Sequence, residues 1–150
     1  MYSRDNFEND KKLLNTAYNS LINKYHVKKE NIWQYAVPEV SDFPYTVHHL
    51  INYGKSEGKQ FDAVICIGTI IENNITKDAL QYLTDSISYR ITKIGIKTDT
   101  PVIPGIFIDH ENNIKDMCIN TFGNSKADKM VEKAIEMARV RSFTKSKIFK

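Results

Sequence analysis

The run Ala63-Val64-Ile65-Cys66-Ile67 limits what this chain can fold into more than any other feature. A strand with one face in water alternates apolar and polar residues. A run without alternation must be covered on both faces, as the inner strands of a parallel sheet are. This one follows Phe61-Asp62 and is bounded by Gly68. Such a strand needs helices above and below it, and the rest of the chain reads as their source. Leu13, Leu14, Ala17, Tyr18, Leu21, Ile22 and Tyr25 fall on one stripe at helical spacing, with Asn9 or Asp10 placed to cap the start. Ile32 to Val37 reads as a strand ended by Pro38. A helix is expected after Pro44, with Val47, Leu50 and Ile51 inward and Gly54 as its stop. A third helix carries Ala79, Leu80, Leu83, Ile87, Ile91 and Ile94, and a strand covers Val102 to Ile108. A last helix carries Ala127, Met130, Val131, Ala134, Ile135 and Ala138. This alternation predicts a three-layer α/β/α sandwich around a parallel sheet.

No repeat, low-complexity segment or linker divides residues 1–150, which are expected to form one domain with a solvated basic tail from about 139. Arg139, Arg141, Lys145, Lys147 and Lys150 make up that tail. At the other end the pattern breaks. A helix stands where a strand should open the fold, and Met1 and Tyr2 before Ser3-Arg4-Asp5-Asn6 are too few for one.

Composition removes several function classes. At 41% hydrophobic residues the chain is globular, and a net charge of +3 gives no ground to expect nucleic acid. No stretch is long enough to span a membrane and the polar start is no signal peptide, so a cytoplasmic protein is expected. Cys66 and Cys118 lie far apart with no ligand spacing around them, so neither a disulfide nor a metal site is expected, and Cys66 reads as core. Asn74-Ile75-Thr76 is a sequon that matters only in a secreted chain.

Ligands of open parallel sheets bind beyond the carboxyl ends of the strands. That singles out Val37 to Pro44, Gly68 to Lys77 and Ile108 to Asn112, which carry Glu39, Asp42, Glu72, Lys77, Asp109, His110 and Glu111. These groups could do acid–base work, though most charged loops would offer as much. There is no glycine-rich phosphate loop and no nucleophile motif. His48 and His49 are neighbours on a helix and point apart, which argues against a shared metal.

The same segments carry a family resemblance. Val37-Pro38-Glu39-Val40-Ser41-Asp42-Phe43-Pro44 resembles the V-P-G-S/A-x-E-I/L-P signature of lumazine synthases. Asp62-Ala63-Val64-Ile65-Cys66-Ile67-Gly68-Thr69-Ile70-Ile71-Glu72-Asn73 is similar to their D-A-V-I-C-L-G-A/V-V/L-I-R/K-G stretch. Pro101 to Phe107 resembles P-V-I-F-G-V/L-L, and Gly123-Asn124 with Glu136-Met137-Ala138 resembles the closing G-N and E-M-A. Near the start, Ser3-Arg4-Asp5-Asn6 and Leu13 to Ala17 resemble A-R-F/W-N and L-L-x-G-A. The likeness implies a flavodoxin-like domain assembled as a homo-oligomer, most simply a pentamer, with the active site between subunits. It implies the condensation of 5-amino-6-ribitylaminouracil with 3,4-dihydroxy-2-butanone 4-phosphate to 6,7-dimethyl-8-ribityllumazine, the precursor of riboflavin, without a cofactor. It also implies a strand before A-R-F/W-N, between those represented by Ile32 to Val37 and Ala63 to Ile67. Here that strand is expected to be missing, its gap closed by direct pairing, by another chain, or by residues ahead of Met1.

Position by position, the catalytic requirements are poorly met. The stacking aromatic falls on Asp5, the glycine of V-P-G on Glu39, and the acid survives as Asp42, one methylene shorter. The proton-shuttling histidine falls on Lys77; an ordinary lysine, with a pKa of about 10.4, is a cation at neutral pH and cannot accept a proton. Met117 to Phe122 hold the places of the phosphate-binding Arg and Lys, and Pro104 that of a phenylalanine. Asp42, Ile70 and Glu72 remain as candidate substrate contacts, with Lys77 and His110 as candidate replacement catalytic groups. For each there is a plainer role: helix-start acid for Asp42, core for Ile70, solvent-facing or loop residue for the others. Two readings follow. One is a lumazine synthase acting on its pyrimidine and sugar-phosphate substrates through compensating residues. The other is a non-catalytic relative that keeps the assembly and binds a flavin or lumazine.

Overall fold

The computed structural model describes residues 1–71, 76–109 and 125–148. Its sheet is parallel and four-stranded, in the order β2-β1-β3-β4. The strands are β1 (Tyr2–Ser3), β2 (Ala36–Val37), β3 (Val64–Ile71) and β4 (Val102–Asp109). Helices α1 (Phe7–Asn23) and α4 (Lys126–Ile148) cover one face, and α2 (Phe43–Ser56) and α3 (Lys77–Thr98) the other. The sandwich predicted from the alternation is therefore the one observed.

Each face has its own core. Under α1 and α4, Leu13, Ala17, Met130, Val131 and Ala134 pack on Ile67 and Ile103. Under α2 and α3, Phe43, Val47, Ile51, Ile87 and Ile91 pack on Val37, Cys66 and Val102. Successive residues Cys66 and Ile67 thus enter opposite cores, which is why β3 shows no alternation. Each fully buried aliphatic or aromatic side chain contributes roughly 1.5–3 kcal/mol. Burial pushes the Cys66 thiol up to about 12, so it is a neutral core group. Pro104 is tolerated inside β4 because β4 is an edge strand: Ile103 and Gly105 face β3, and the proline nitrogen faces away.

The start of the chain differs from expectation. Tyr2–Ser3 is a strand after all, set between β2 and β3 in the interior of the sheet. Its two residues suffice because the flanking backbone is bonded too. The Met1 amino group donates to the Ile65 carbonyl at 2.9 Å, and Ile67 N–H donates to the Met1 carbonyl at 3.0 Å. Tyr2 and Arg4 N–H donate to the carbonyls of Tyr35 and Val37, both at 2.9 Å. Of Ile32 to Val37 only Ala36–Val37 is a strand, since a ladder exists only where β1 lies alongside.

Other boundaries also move. Helix α1 begins at Phe7 after Asn6, so neither Asn9 nor Asp10 caps it. Gly54 does not stop α2, which runs to Ser56; a Cβ there would stand 2.7 Å from the Lys59 carbonyl. Gly68 does not end β3 but lies within it. Ala79 and Leu83 are exposed on α3 rather than inward. The basic residues from 139 to 148 continue α4 instead of trailing from it, and Arg141 donates to the Phe61 carbonyl at 2.9 Å and to Asp99 at 3.3 Å.

The β3–β4 pairing carries the testable consequence. A Cβ at Gly105 would stand 2.6 Å from the Cys66 carbonyl and press on the Met130 side chain. Backbone cannot yield as a side-chain tip can. Gly105→Ala is expected to lower stability by about 1–3 kcal/mol or more in urea unfolding, and a neutral result would contradict this packing.

Candidate functional site at the carboxyl edge of the sheet

The parallel registers set the strand ends along one edge. Ser3 pairs with Val37, Tyr2 with Ile67, and Ile70 with Ile108. The segments leaving that edge are Arg4 to Asn6, Pro38 to Asp42, the entry to α3, and the end of β4 at Asp109. They lie close together because β3 has no side chain at Gly68. A Cβ there would stand 2.8 Å from Val40 and 3.1 Å from both Phe43 and the Ser3 hydroxyl.

A buried carboxylate organises the edge. Asp10 of α1 is fully buried. It accepts hydrogen bonds from the Ser3 hydroxyl at 2.8 Å, the Thr69 hydroxyl at 2.6 Å and the Thr69 N–H at 3.3 Å. The Asn6 amide donates to the Thr69 carbonyl at 2.7 Å. One cluster therefore ties β1, the start of α1 and the end of β3 together. Desolvation raises the Asp10 carboxyl above the usual aspartate range, against the hydrogen bonds from Thr69 and Ser3 that lower it. Its three contacts are all internal, so Asp10 reads as a pin for the edge rather than a reacting group. Its place was discernible in the sequence. Asp10 lies on the same stripe as Leu13, Leu14 and Ala17, and an acid on an inward stripe must find donors there.

The residues singled out from the sequence fare differently. Asp42 closes the short 3-10 turn Val40–Asp42 before α2 and accepts the Glu39 N–H at 3.0 Å, a local helix-start role. Ile70 is half-buried and packs against the α2–α3 core. Lys77 is exposed as the first residue of α3, after Thr76, whose hydroxyl accepts the Ala79 N–H at 3.3 Å. Asp5 and Glu39 are exposed at the same edge. Asp109 is buried at the end of β4. Glu72, His110 and Met117 to Phe122 lie outside the described residues. Among the described residues, no group of three or more His, Cys, Asp or Glu is placed to hold a metal ion. Nor is any helix among them long and apolar enough to cross a membrane.

The edge thus combines a V-P turn entering α2, a glycine within β3, and an Asn that binds the end of β3. Compared with known families, residues 2–142 match the family model of 6,7-dimethyl-8-ribityllumazine synthase. The chain belongs to the lumazine synthase family. Within that frame the retained elements are those that position the edge, while Asp42 and Lys77 do not converge on a common partner through any hydrogen bond among the described residues.

The raised Asp10 carboxyl gives a signed expectation. A folded state that holds the proton more tightly than the unfolded chain is favoured at low pH. That advantage is lost as pH rises through the folded pKa. Asp10→Asn mimics the neutral form, so wild type should gain stability relative to this variant as pH falls from 7 towards 4. Asp10→Ala strands the Ser3 and Thr69 donors and should cost ~2 kcal/mol or more at pH 7. Urea unfolding of the three proteins at both pH values checks this, and a wild-type advantage that grew with rising pH would contradict it.

Proposed function

We propose that this protein keeps the fold and assembly of the lumazine synthases and has lost their condensation, acting as a flavin- or lumazine-binding or co-assembling relative. The observation that carries this reading is Lys77, exposed in the first turn of α3 at the position of the family's proton-shuttling histidine. Asp42 supports it, since its carboxylate is turned back onto the Glu39 N–H. Condensation needs a proton acceptor and a basic clamp for the phosphate. Aspartate at position 5 removes the stacking ring as well.

The second reading, a working synthase of riboflavin biosynthesis, is favoured by the extent of the family match, which spans residues 2–142. In that case Lys77 and His110 take over acid–base work and Asp42, Ile70 and Glu72 hold the pyrimidine.

Assembly as a homo-oligomer, in rings of five, belongs to the same proposal. It is supported by Tyr82, Tyr89 and Ile96 on α3, which stand 77%, 66% and 80% exposed at two-turn spacing. A single apolar stripe of that length on a helix is a packing surface. We place the protein in the cytoplasm with its proposed pathway.

One preparation tests both parts. Given the two family substrates, the protein is expected to form lumazine at the uncatalysed rate, because lost acid–base groups alone remove ~10²–10⁴-fold. Saturable turnover abolished by Lys77→Ala would establish the synthase reading instead. Sedimentation of the same sample should give an oligomer that Tyr82→Glu with Tyr89→Glu dissociates, and a wild-type monomer would overturn the assembly.

A further inference from the structure

The two edges of the sheet carry opposite excesses of charge. In a parallel sandwich each helix runs back against the strands, so the helix ends gather at the amino edge, away from the candidate site. Exposed cations follow them there: Lys24, Lys28 and Lys29 after α1, Lys59 after α2, Lys97 at the end of α3 and Arg139 on α4. Glu30, Glu57, Asp62, Asp99 and Glu136 stand among them, and Asp99 is bridged to Arg141. The carboxyl edge carries exposed Asp5, Glu8, Glu39 and Asp78 beside Arg4 and Lys77. Helix dipoles favour acids in first turns and cations in last turns, which accounts for Asp78 and Lys97. They do not account for Lys28, Lys29 and Lys59, which stand beyond their helices.

Helix α4 adds to this end of the molecule. Arg141 anchors it at the amino edge by donating to the Phe61 carbonyl, just ahead of β3, and to Asp99, which caps α3. The family match ends at residue 142, and the helix runs on to Ile148, about 10 Å past the anchor. From Met137 to Lys150 the sequence has five Lys or Arg and no Asp or Glu. Val140 and Phe143, one turn apart, are 55% and 59% exposed, with exposed Arg139 beside them. A helix that docks into a protein groove presents apolar anchors at i, i+3, i+4 and i+7. Counted from Val140, the last two of those places are Thr144 and Lys147. Two apolar side chains set among cations suit a lipid headgroup layer better than a groove. Nor does a nucleic acid use an exposed valine, which neither pairs with phosphate nor stacks on a base.

We propose that the amino edge of the sheet is a docking face for an anionic phospholipid surface. The cations at the helix ends meet the headgroups, and Val140 and Phe143 enter the boundary between headgroups and acyl chains. Each Lys or Arg brought to such a surface contributes roughly fivefold in affinity, and salt screens that attraction. The candidate site, at the opposite edge, then faces away from the bilayer and stays open. Docking of this kind does not depend on whether that site is catalytic.

Flotation of the whole chain tests this with two kinds of vesicle, phosphatidylcholine alone and phosphatidylcholine with about one quarter phosphatidylserine. The protein is expected to float with the serine-containing vesicles only, and to be released as salt rises to ~0.5 M. Lys28→Glu with Lys29→Glu should weaken binding by roughly tenfold or more. Val140→Ser with Phe143→Ser should weaken it by roughly tenfold, with an unchanged melting temperature because both side chains are exposed. Lys11→Glu with Lys12→Glu makes the same charge change in the first half of α1 and should weaken it by less than about threefold. Equal loss in that last pair would reduce the effect to net charge and overturn the proposal. So would equal binding to both vesicles, no binding to either, or unchanged binding by the Val140 and Phe143 pair. Polyuridylate bound more tightly than the vesicles would assign the face to RNA and refute the proposal. Dissociation of a wild-type oligomer by the Val140 and Phe143 pair would assign it to a second copy of this chain, which also refutes it.

Discussion

The sheet depends on the bonds that hold the first four residues between β2 and β3. Met1, Tyr2 and Arg4 connect alternately to Ile65 and Ile67 on one side and to Tyr35 and Val37 on the other. Without them β2 would have no partner among the described strands, and the sheet between the two cores would be reduced to β3 and β4. So short a strand does not hold itself. Ser3 is locked through Asp10 to Thr69, and Asn6 to the Thr69 carbonyl, so the helix that follows β1 clamps it to β3. The cluster contains a desolvated carboxylate, and its hydrogen bonds offset that cost only in part.

Much of this architecture was legible in the sequence. The unbroken run at Ala63 to Ile67 required cover on both faces, and the stripes of α1 and α4 supplied one of the two covers. What could not be read shares a cause. Gly54 and Gly68 looked like stop signals, but their role is close approach to Lys59 and to Val40 and Phe43, which only the assembled fold brings near. Tyr2–Ser3 is too short to show any periodicity, and its strand character comes from neighbours on both sides. Leu83 and Ala79 fit the α3 stripe by spacing yet lie at its exposed margin. At the site, Asp42 accepts the Glu39 N–H and Ile70 packs in the α2–α3 core, while Asp10, read from the sequence as a candidate cap, is central to the edge.

On the proposed reading, fold and chemistry have separated in this family member. The features kept are those the edge needs in order to form: a glycine in β3, a proline at the entry to α2, and an Asn reaching Thr69. By the sequence resemblance, the positions of an aromatic, a histidine and a glycine fall on Asp5, Lys77 and Glu39, all exposed. Substitutions at exposed edge positions cost little stability. Changes at Gly105 or Asp10 would reach the sheet itself.

The central claim is that the interior of the sheet is held by the pairing of Met1 to Arg4 with the strands on both sides. Amide hydrogen exchange resolved to single residues reads this directly. The Ile67 N–H, bonded to the Met1 carbonyl, should exchange only through global unfolding. The Arg4 N–H, bonded to the Val37 carbonyl on the other side of β1, should be protected to the same degree. Fast exchange through local opening at either position would contradict the pairing of β1 inside the sheet.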